Sequence, residues 1–113
     1  MNVVEATIAD LRAAFERGDI TSVSLVQAYL DRIDAFDKNG PCLNAVPVLN
    51  PGALAEAKAS DARRAKGETR GPLDGIPYTA KNSYKVKGMT VAAGSPAFAN
   101  LIAMDDAFAI AQL

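Results

Sequence analysis

The most informative stretch of the sequence is GPLDGIPYTAK, which spans residues 71–81. Turn-forming residues open it and a short apolar run follows, a pattern that predicts a strand from Ile76 to Lys81. An ammonium at the end of such a strand loses hydration if protein covers it, which lowers the pKa of a lysine and makes neutral amine available near pH 7. Lys81 is therefore the candidate catalytic residue. From the pattern alone, a lysine that simply emerges into water is the commoner outcome.

Composition limits the class of protein. The chain has 113 residues, of which 50% are hydrophobic and 22% charged, values typical of a globular domain. Its net charge of −1 argues against nucleic acid as a direct partner. Cys42 is the single cysteine and histidine is absent, which excludes an internal disulfide and a multi-thiolate metal site. We expect a half-buried structural thiol and neither metal nor cofactor.

The first residues have no basic region and no long apolar run. A signal peptide or membrane anchor is therefore not expected, and a cytoplasmic location is the default.

Apolar residues at helical spacing, with capping residues before them, predict four helices. The predicted helices span residues 7–18, residues 21–37 with Phe36 on the apolar face, residues 53–66 opened by Asn50-Pro51, and a segment from Asp105 that is still incomplete at Leu113. A second strand is predicted over residues 43–49, where Pro47 indicates an edge position.

The region between Lys81 and the last helix is predicted to be irregular. It contains Gly94-Ser95, which precede Pro96. The simpler interpretation is a tight turn that needs glycine at positive φ. The alternative is that Gly94 and Ser95 support a functional site.

Several of these motifs together resemble the amidase signature family. The matching residues are GPLDGIP at 71–77, Lys81, GMT at 88–90, AGS at 93–95, TS at 21–22 leading into LV at 25–26, and LNA at 43–45 before NP at 50–51. The resemblance extends over nearly the whole chain. It implies an α/β fold, a mixed β-sheet covered by helices. Residues 1–113 would form the N-terminal part of a single amidase domain, ending before the Ser/Gly-rich catalytic segment.

The resemblance also implies a Ser, cis-Ser, Lys triad that hydrolyses carboxamides through an acyl-enzyme, with Lys81 as the lysine. In the family both serines lie downstream, so the 113 residues supply only the lysine and are predicted to be inactive alone. The expected partners are a small-molecule amide and the remainder of the same chain or a neighbouring copy, with a homodimer as one form. Two alternatives stay open: a noncatalytic fragment that serves as scaffold or interaction surface, and part of a glutamine-dependent amidotransferase subunit.

Asn82 departs from the family, which usually has aspartate after the lysine. A carboxylate beside Lys81 would favour the charged amine, whereas an amide keeps hydrogen-bonding capacity without the charge. We therefore expect the residue at position 82 to affect the pH dependence of turnover more than the fold. With Gly94 and Ser95, Asn82 is a candidate for supporting the catalytic residue.

Overall fold

The computed structural model describes residues 2–113. The chain divides into two units, residues 1–77 and residues 78–113. The first unit contains three long helices, α1 (Ile8–Arg17), α2 (Ser22–Arg32) and α3 (Ala53–Ala65), and α2 continues into a π-helical segment, Ile33–Lys38. The second contains a 3₁₀ turn, Pro96–Phe98, and a short helix, α4 (Phe108–Ala111). Within the described residues no helix has the length and apolar character needed to cross a membrane.

Local capping residues determine where α1 and α2 begin. Thr7 caps α1 and exchanges hydrogen bonds with Asp10, so that side chain and backbone satisfy each other in a capping box. Thr21 and Ser24 form the same arrangement at the start of α2. Gly18 ends α1 in the left-handed conformation at φ 73°, as glycine does after many helices. These predicted helix boundaries are confirmed.

A small apolar cluster packs the helices of the first unit together. Leu11 and Phe15 on α1 are buried against Leu25 on α2. Ile76, from the GPLDGIPYTAK stretch, packs against this cluster. The apolar end of that stretch is thus part of the core of the first unit.

Asp61 on α3 caps the neighbouring helix α2. Its two carboxylate oxygens accept hydrogen bonds from the main-chain N–H groups of Ser22, at 2.7 Å, and Val23, at 3.1 Å. These N–H groups lack partners within their own helix, and the positive end of the helix dipole favours a carboxylate there. The Ser22 hydroxyl, which the capping does not use, donates to the Gly75 carbonyl oxygen at 2.8 Å.

Gly75 lies where the loop passes closest to the helices. Its φ is +92°, and a Cβ atom at this position would meet the Ser60 hydroxyl oxygen at 2.8 Å and the Ser22 Cβ at 3.2 Å. Ser22 and Ser60 are both buried. Glycine is required here both for the backbone conformation and for the close approach.

Asp74 ties the same loop to α3 through charge. Its carboxylate accepts from Arg63 Nε at 3.0 Å and Arg63 Nη2 at 2.7 Å, and also from the Arg70 main-chain N–H at 2.9 Å. The hydrogen bonds from Arg63 outweigh the opposing effect of burial and hold the pKa of Asp74 well below its usual range. Arg64 donates to the Asp74 carbonyl oxygen at 2.6 Å and lies over the Phe15 ring.

The π-helical segment changes which residues face inward at the end of α2. Asn39 N–H donates to the Asp34 carbonyl oxygen, five residues earlier, so the turn is wider than that of an α-helix. Asp37 is consequently buried, while Phe36 is 44% exposed. The prediction that Phe36 continues the apolar face was therefore wrong, although the helical path to about residue 37 is confirmed.

Residues 43–49 do not form the predicted strand. The Asp37 carboxylate accepts hydrogen bonds from the N–H groups of Ala45 and Val46, which a strand would use for pairing. Cys42 and Asn44 have positive φ values of 53° and 50°, which turn the chain. Burial opposes the ionisation of Asp37, but the hydrogen bonds from Ala45, Lys38 and Val46 outweigh it and lower the pKa. Cys42 is exposed, contrary to the prediction that it is half-buried.

The third helix is confirmed, but the prediction that Asn50-Pro51 opens it was wrong. Gly52 occupies the N-cap position of α3, and Pro51 lies before the helix. The Asn50 side chain instead accepts from the Gly52 N–H at 2.8 Å and donates to Glu56 at 3.0 Å. A local turn therefore competes successfully for the asparagine oxygen.

The second unit is held mainly by main-chain hydrogen bonds around Ala103. Thr90 and Ile102 form an isolated antiparallel bridge, and Ala103, which is buried, donates to Met89 at 3.0 Å and accepts from Gly88 at 2.8 Å. This bridge is the only strand pairing among residues 2–113. The predicted mixed sheet, including its strand from Ile76 to Lys81, is therefore wrong for the described residues, because that segment forms no strand.

The last helix begins later than predicted. Instead of opening α4, Asp105 pairs with the Lys85 ammonium at 2.5 Å, and Asp106 accepts from the Lys87 N–H at 2.7 Å. The hydrogen bond from Lys85 and its charge lower the pKa of Asp105. The two carboxylates thus anchor the chain before α4, which begins at Phe108.

The close approach at Gly75 predicts a large effect of one added methyl group. We expect Gly75→Ala to lower the free energy of unfolding by about 2–3 kcal/mol, because the methyl clashes with Ser60 and strains the backbone. Gly67→Ala is the matched control, since Gly67 also has a positive φ of 74° but has nothing within 4 Å. It should cost only about 1 kcal/mol. Urea denaturation of both variants measures the difference, and equal losses would contradict the packing argument.

The ion pair at Asp74 predicts a pH-dependent contribution to stability. Because the pKa of Asp74 is lowered on folding from an ordinary value of 3.8, its contribution is fully present above about pH 4 and is lost as the pH falls further. At pH 7, Asp74→Asn should lower the free energy of unfolding by about 2 kcal/mol. Asp19→Asn is the control, since the Arg17–Asp19 pair is exposed and should contribute under about 1 kcal/mol. A deficit of the Asp74 variant that stays constant from pH 7 to pH 3 would overturn this assignment.

Candidate functional site

Lys81 lies in the second unit, at the end of a segment that is neither helix nor strand. Its side chain is exposed, and within residues 2–113 it makes no ion pair. Its carbonyl oxygen accepts from the Tyr84 N–H at 2.9 Å, which closes a turn over residues 81–84. The backbone of Lys81 is thus fixed on its C-terminal side. Shelter from solvent, which the predicted role needs, is not provided by the described residues.

Asn82 connects this turn to a segment ten residues further along the chain. Its side-chain Oδ1 accepts from the Ala92 N–H at 3.2 Å. Its main-chain carbonyl oxygen accepts from the Ala93 N–H at 2.9 Å. The two bonds hold consecutive amides of the loop against a single residue, and Asn82 itself is half-buried. The residue next to Lys81 is therefore the anchor of the loop that contains Gly94 and Ser95.

Gly94 lies in a tight turn within that loop. Ala93 and Gly94 have positive φ values of 47° and 76°, and the Ser95 N–H donates to the Ala92 carbonyl oxygen at 2.8 Å. Positive φ at both central residues is the pattern of a type I′ turn. The prediction of a turn with glycine at positive φ is confirmed. Ala93 is the more demanding residue, because an alanine in this conformation is strained.

Ser95 follows the turn and leads into the 3₁₀ turn Pro96–Phe98. Its carbonyl oxygen accepts from the Phe98 N–H at 3.0 Å, and the residue is half-buried. Both the N–H and the carbonyl oxygen of Ser95 are therefore hydrogen-bonded. The three residues predicted to support Lys81 are brought into one hydrogen-bonded segment, which Asn82 joins to the lysine.

Sequence reasoning missed the residues that complete this arrangement. Ala92 and Ala93 contribute through their main-chain N–H groups, and alanine gives no side-chain signal for such a role. Lys85 pairs with Asp105, twenty residues further along the chain. No group of three His, Cys, Asp or Glu side chains able to hold a metal ion occurs among residues 2–113. The chemistry available here is that of one amine, which can accept or donate a proton.

Comparison with known proteins identifies the protein family that this chain matches. The Amidase family model matches residues 24–113. A glutamyl-tRNA(Gln) amidotransferase subunit from Thioalkalivibrio sulfidiphilus is 44% identical over 103 residues, which cover 91% of this chain and 21% of that protein. This chain therefore spans about a fifth of the length of the relatives it matches.

Solved structures agree with the sequence match. Native peptide amidase from Stenotrophomonas maltophilia superposes with a TM-score of 0.92 at 44% identity, covering 96% of this chain and 22% of that one. An amidase family protein from Bacillus anthracis superposes with a TM-score of 0.90 at 33% identity, covering 97% of this chain and 22% of that one. The helices and loops described above are therefore those of an amidase fold. By family match, sequence identity and fold, the chain belongs to the amidase family.

Proposed function

We propose that the protein containing these 113 residues hydrolyses a carboxamide C–N bond, and that Lys81 is the proton-transferring member of a Ser, cis-Ser, Lys triad. The observation that carries this proposal is the lysine that directly follows the GPLDGIPYTA stretch in a chain of the amidase family. Residues 1–113 would be the N-terminal part of a single amidase domain. They supply the lysine, and the two serines come from further along the same polypeptide.

The reaction needs one group that first removes a proton and later returns it. The neutral Lys81 amine takes a proton, through the bridging serine, from the nucleophilic serine as its oxygen bonds to the amide carbon. The same relay returns the proton to the departing nitrogen as the C–N bond breaks, which releases ammonia or an amine and leaves an acyl ester. Water then cleaves the ester and regenerates the serine. Without the two serines residues 1–113 are inactive.

The amide itself has two candidate classes. The relatives support both, since one is named a peptide amidase and another belongs to an amidotransferase. In the first case the protein acts on a free small-molecule or peptide amide in the cytoplasm. In the second it releases ammonia from glutamine as part of a larger assembly. A noncatalytic role for residues 1–113 as scaffold or interaction surface is the remaining alternative.

Lys81→Ala tests the proposed role directly. We expect the variant of the full-length protein to lose about 10³-fold in kcat, because a proton-transfer group contributes about 10²–10⁴-fold. Ammonia release from a C-terminal peptide amide and from glutamine measures the loss and separates the two substrate classes. Lys87→Ala is the matched control, since Lys87 is another exposed lysine of the same unit. Full activity of Lys81→Ala would show that Lys81 is not the proton-transferring residue.

The expected partner of residues 1–113 is the remainder of the same chain or a neighbouring copy. Met104 and Phe108 in the second unit are 83% and 82% exposed, and Leu113 is 61% exposed. Apolar side chains this exposed favour association. A polypeptide of residues 1–113 alone should therefore self-associate or aggregate, with a homodimer as one outcome. Size-exclusion chromatography that shows a compact, stable monomer would contradict this expectation.

A further inference from the structure

We propose that Asn82 is a positioning residue for Lys81. It acts by accepting hydrogen bonds from the loop over residues 92–95, and its neutral charge is not needed to hold that loop. This inference rests on the proposed function, because it concerns the geometry of the same lysine. The structure on which Asn82 acts is the loop over residues 92–95.

Asn82 accepts two hydrogen bonds from the loop. Oδ1 accepts from the Ala92 N–H at 3.2 Å, and the main-chain carbonyl oxygen accepts from the Ala93 N–H at 2.9 Å. A single bond would leave the loop free to rotate about it, whereas two bonds to consecutive amides fix both distance and direction. The backbone on either side of the Lys81–Asn82 peptide is then constrained, since Lys81 also accepts from the Tyr84 N–H.

The residue that precedes the loop, Val91, is fixed to the most buried part of the second unit. Val91 N–H donates to the Leu101 carbonyl oxygen at 3.0 Å, next to the bridge between Thr90 and Ile102. Ala103, which is 4% exposed, lies one residue beyond that bridge. Asn82 therefore connects the lysine, through residues 91–93, to a hydrogen-bonded pair of segments with a buried centre.

The strained turn explains why the side chain is needed. Ala93 at φ 47° is strained, because the left-handed conformation brings the Cβ of an L-residue close to the following carbonyl oxygen. Such a residue persists only where its surroundings hold it. Asn82 accepts hydrogen bonds from the N–H of the strained residue, Ala93, and from the N–H of the residue before it, Ala92. Removal of the Oδ1 acceptor should let the turn relax, and the Lys81–Asn82 segment should then lose its fixed position.

The chemistry of the contact predicts which replacements are tolerated. The partner of the side chain is an N–H donor, so an aspartate oxygen accepts it equally well, whereas alanine and leucine offer no acceptor. A carboxylate adds a negative charge beside the lysine, which favours the ammonium form. Asn82→Asp should consequently keep the loop and move the rising limb of the activity profile to higher pH. Asn82→Ala and Asn82→Leu should release the loop.

The test uses four variants of the full-length protein: Asn82→Ala, Asn82→Leu, Asn82→Asp, and the control Asn100→Ala, which removes an exposed asparagine of the same unit. Ammonia release from a peptide amide and from glutamine gives kcat and KM across the pH range. Hydrogen exchange with fragment-level resolution compares the Ala92 amide with that of Ala103, whose bond to Met89 does not involve Asn82.

We expect Asn82→Ala and Asn82→Leu to lose about 10²-fold in kcat with KM changed by less than about threefold, because a small misplacement of a catalytic group has an effect of that size. Exchange at Ala92 should rise in both variants while exchange at Ala103 stays constant. Asn82→Asp should restore Ala92 protection and keep kcat at its optimum within about threefold of the starting protein.

Three results would overturn the inference, and the first two concern the variants without an acceptor. One is a kcat for Asn82→Ala equal to that of Asn100→Ala, and the other is unchanged Ala92 protection in Asn82→Ala and Asn82→Leu. A loss of kcat in Asn82→Asp as large as that in Asn82→Ala would also contradict it, because the neutral amide, and not its acceptor oxygen, would then be required. Full activity of Lys81→Ala would contradict the proposed function itself, whatever result the Asn82 variants give.

Discussion

Arg63 binds both oxygens of the Asp74 carboxylate, and the stretch before Lys81 takes its course from this contact. Residues 71–77 have no helix or strand of their own, and their local order is limited to turns closed by the N–H groups of Asp74 and Ile76. A bidentate, charge-assisted pair supplies direction as well as free energy. The loop is thereby held to α3 at Asp74, and one residue later Gly75 can pack against Ser22 and Ser60. Ile76 then reaches the apolar cluster.

Polar contacts are important for the stability of the first unit because its apolar core is small. The buried cluster consists of Leu11, Phe15 and Leu25, with partly buried neighbours around it. A core of that size leaves little surplus over the conformational entropy of ordering the chain. Asp61 and Asp74 each join α3 to another segment through main-chain N–H groups or arginine. Asp61 thus joins α3 to the start of α2, and Asp74 joins the loop to α3, in addition to the apolar packing.

Sequence reasoning succeeded where the deciding interactions are local. The capping boxes at Thr7 and Thr21 involve residues three apart, and Gly18 and Gly94 need positive φ for reasons that lie in the residue itself. It failed where a distant partner decides. The strand over residues 43–49 depended on pairing, and Asp37 took the N–H groups that pairing would have used. The same division applies to the candidate site, where a motif leads to Lys81 but the amides that Asn82 binds are common to every residue type except proline.

An exposed lysine and an amide-cleaving role are compatible only if folding of the whole protein covers the amine. In water an ammonium is stabilised by hydration, and a lysine left there is a poor base near pH 7. Residues 2–113 leave Lys81 exposed and also leave Met104 and Phe108 exposed. This chain spans about a fifth of its relatives' length, so the rest of such a protein is large enough to bury these side chains. Under the proposed function, covering the apolar surface and activating the lysine are two results of one folding event.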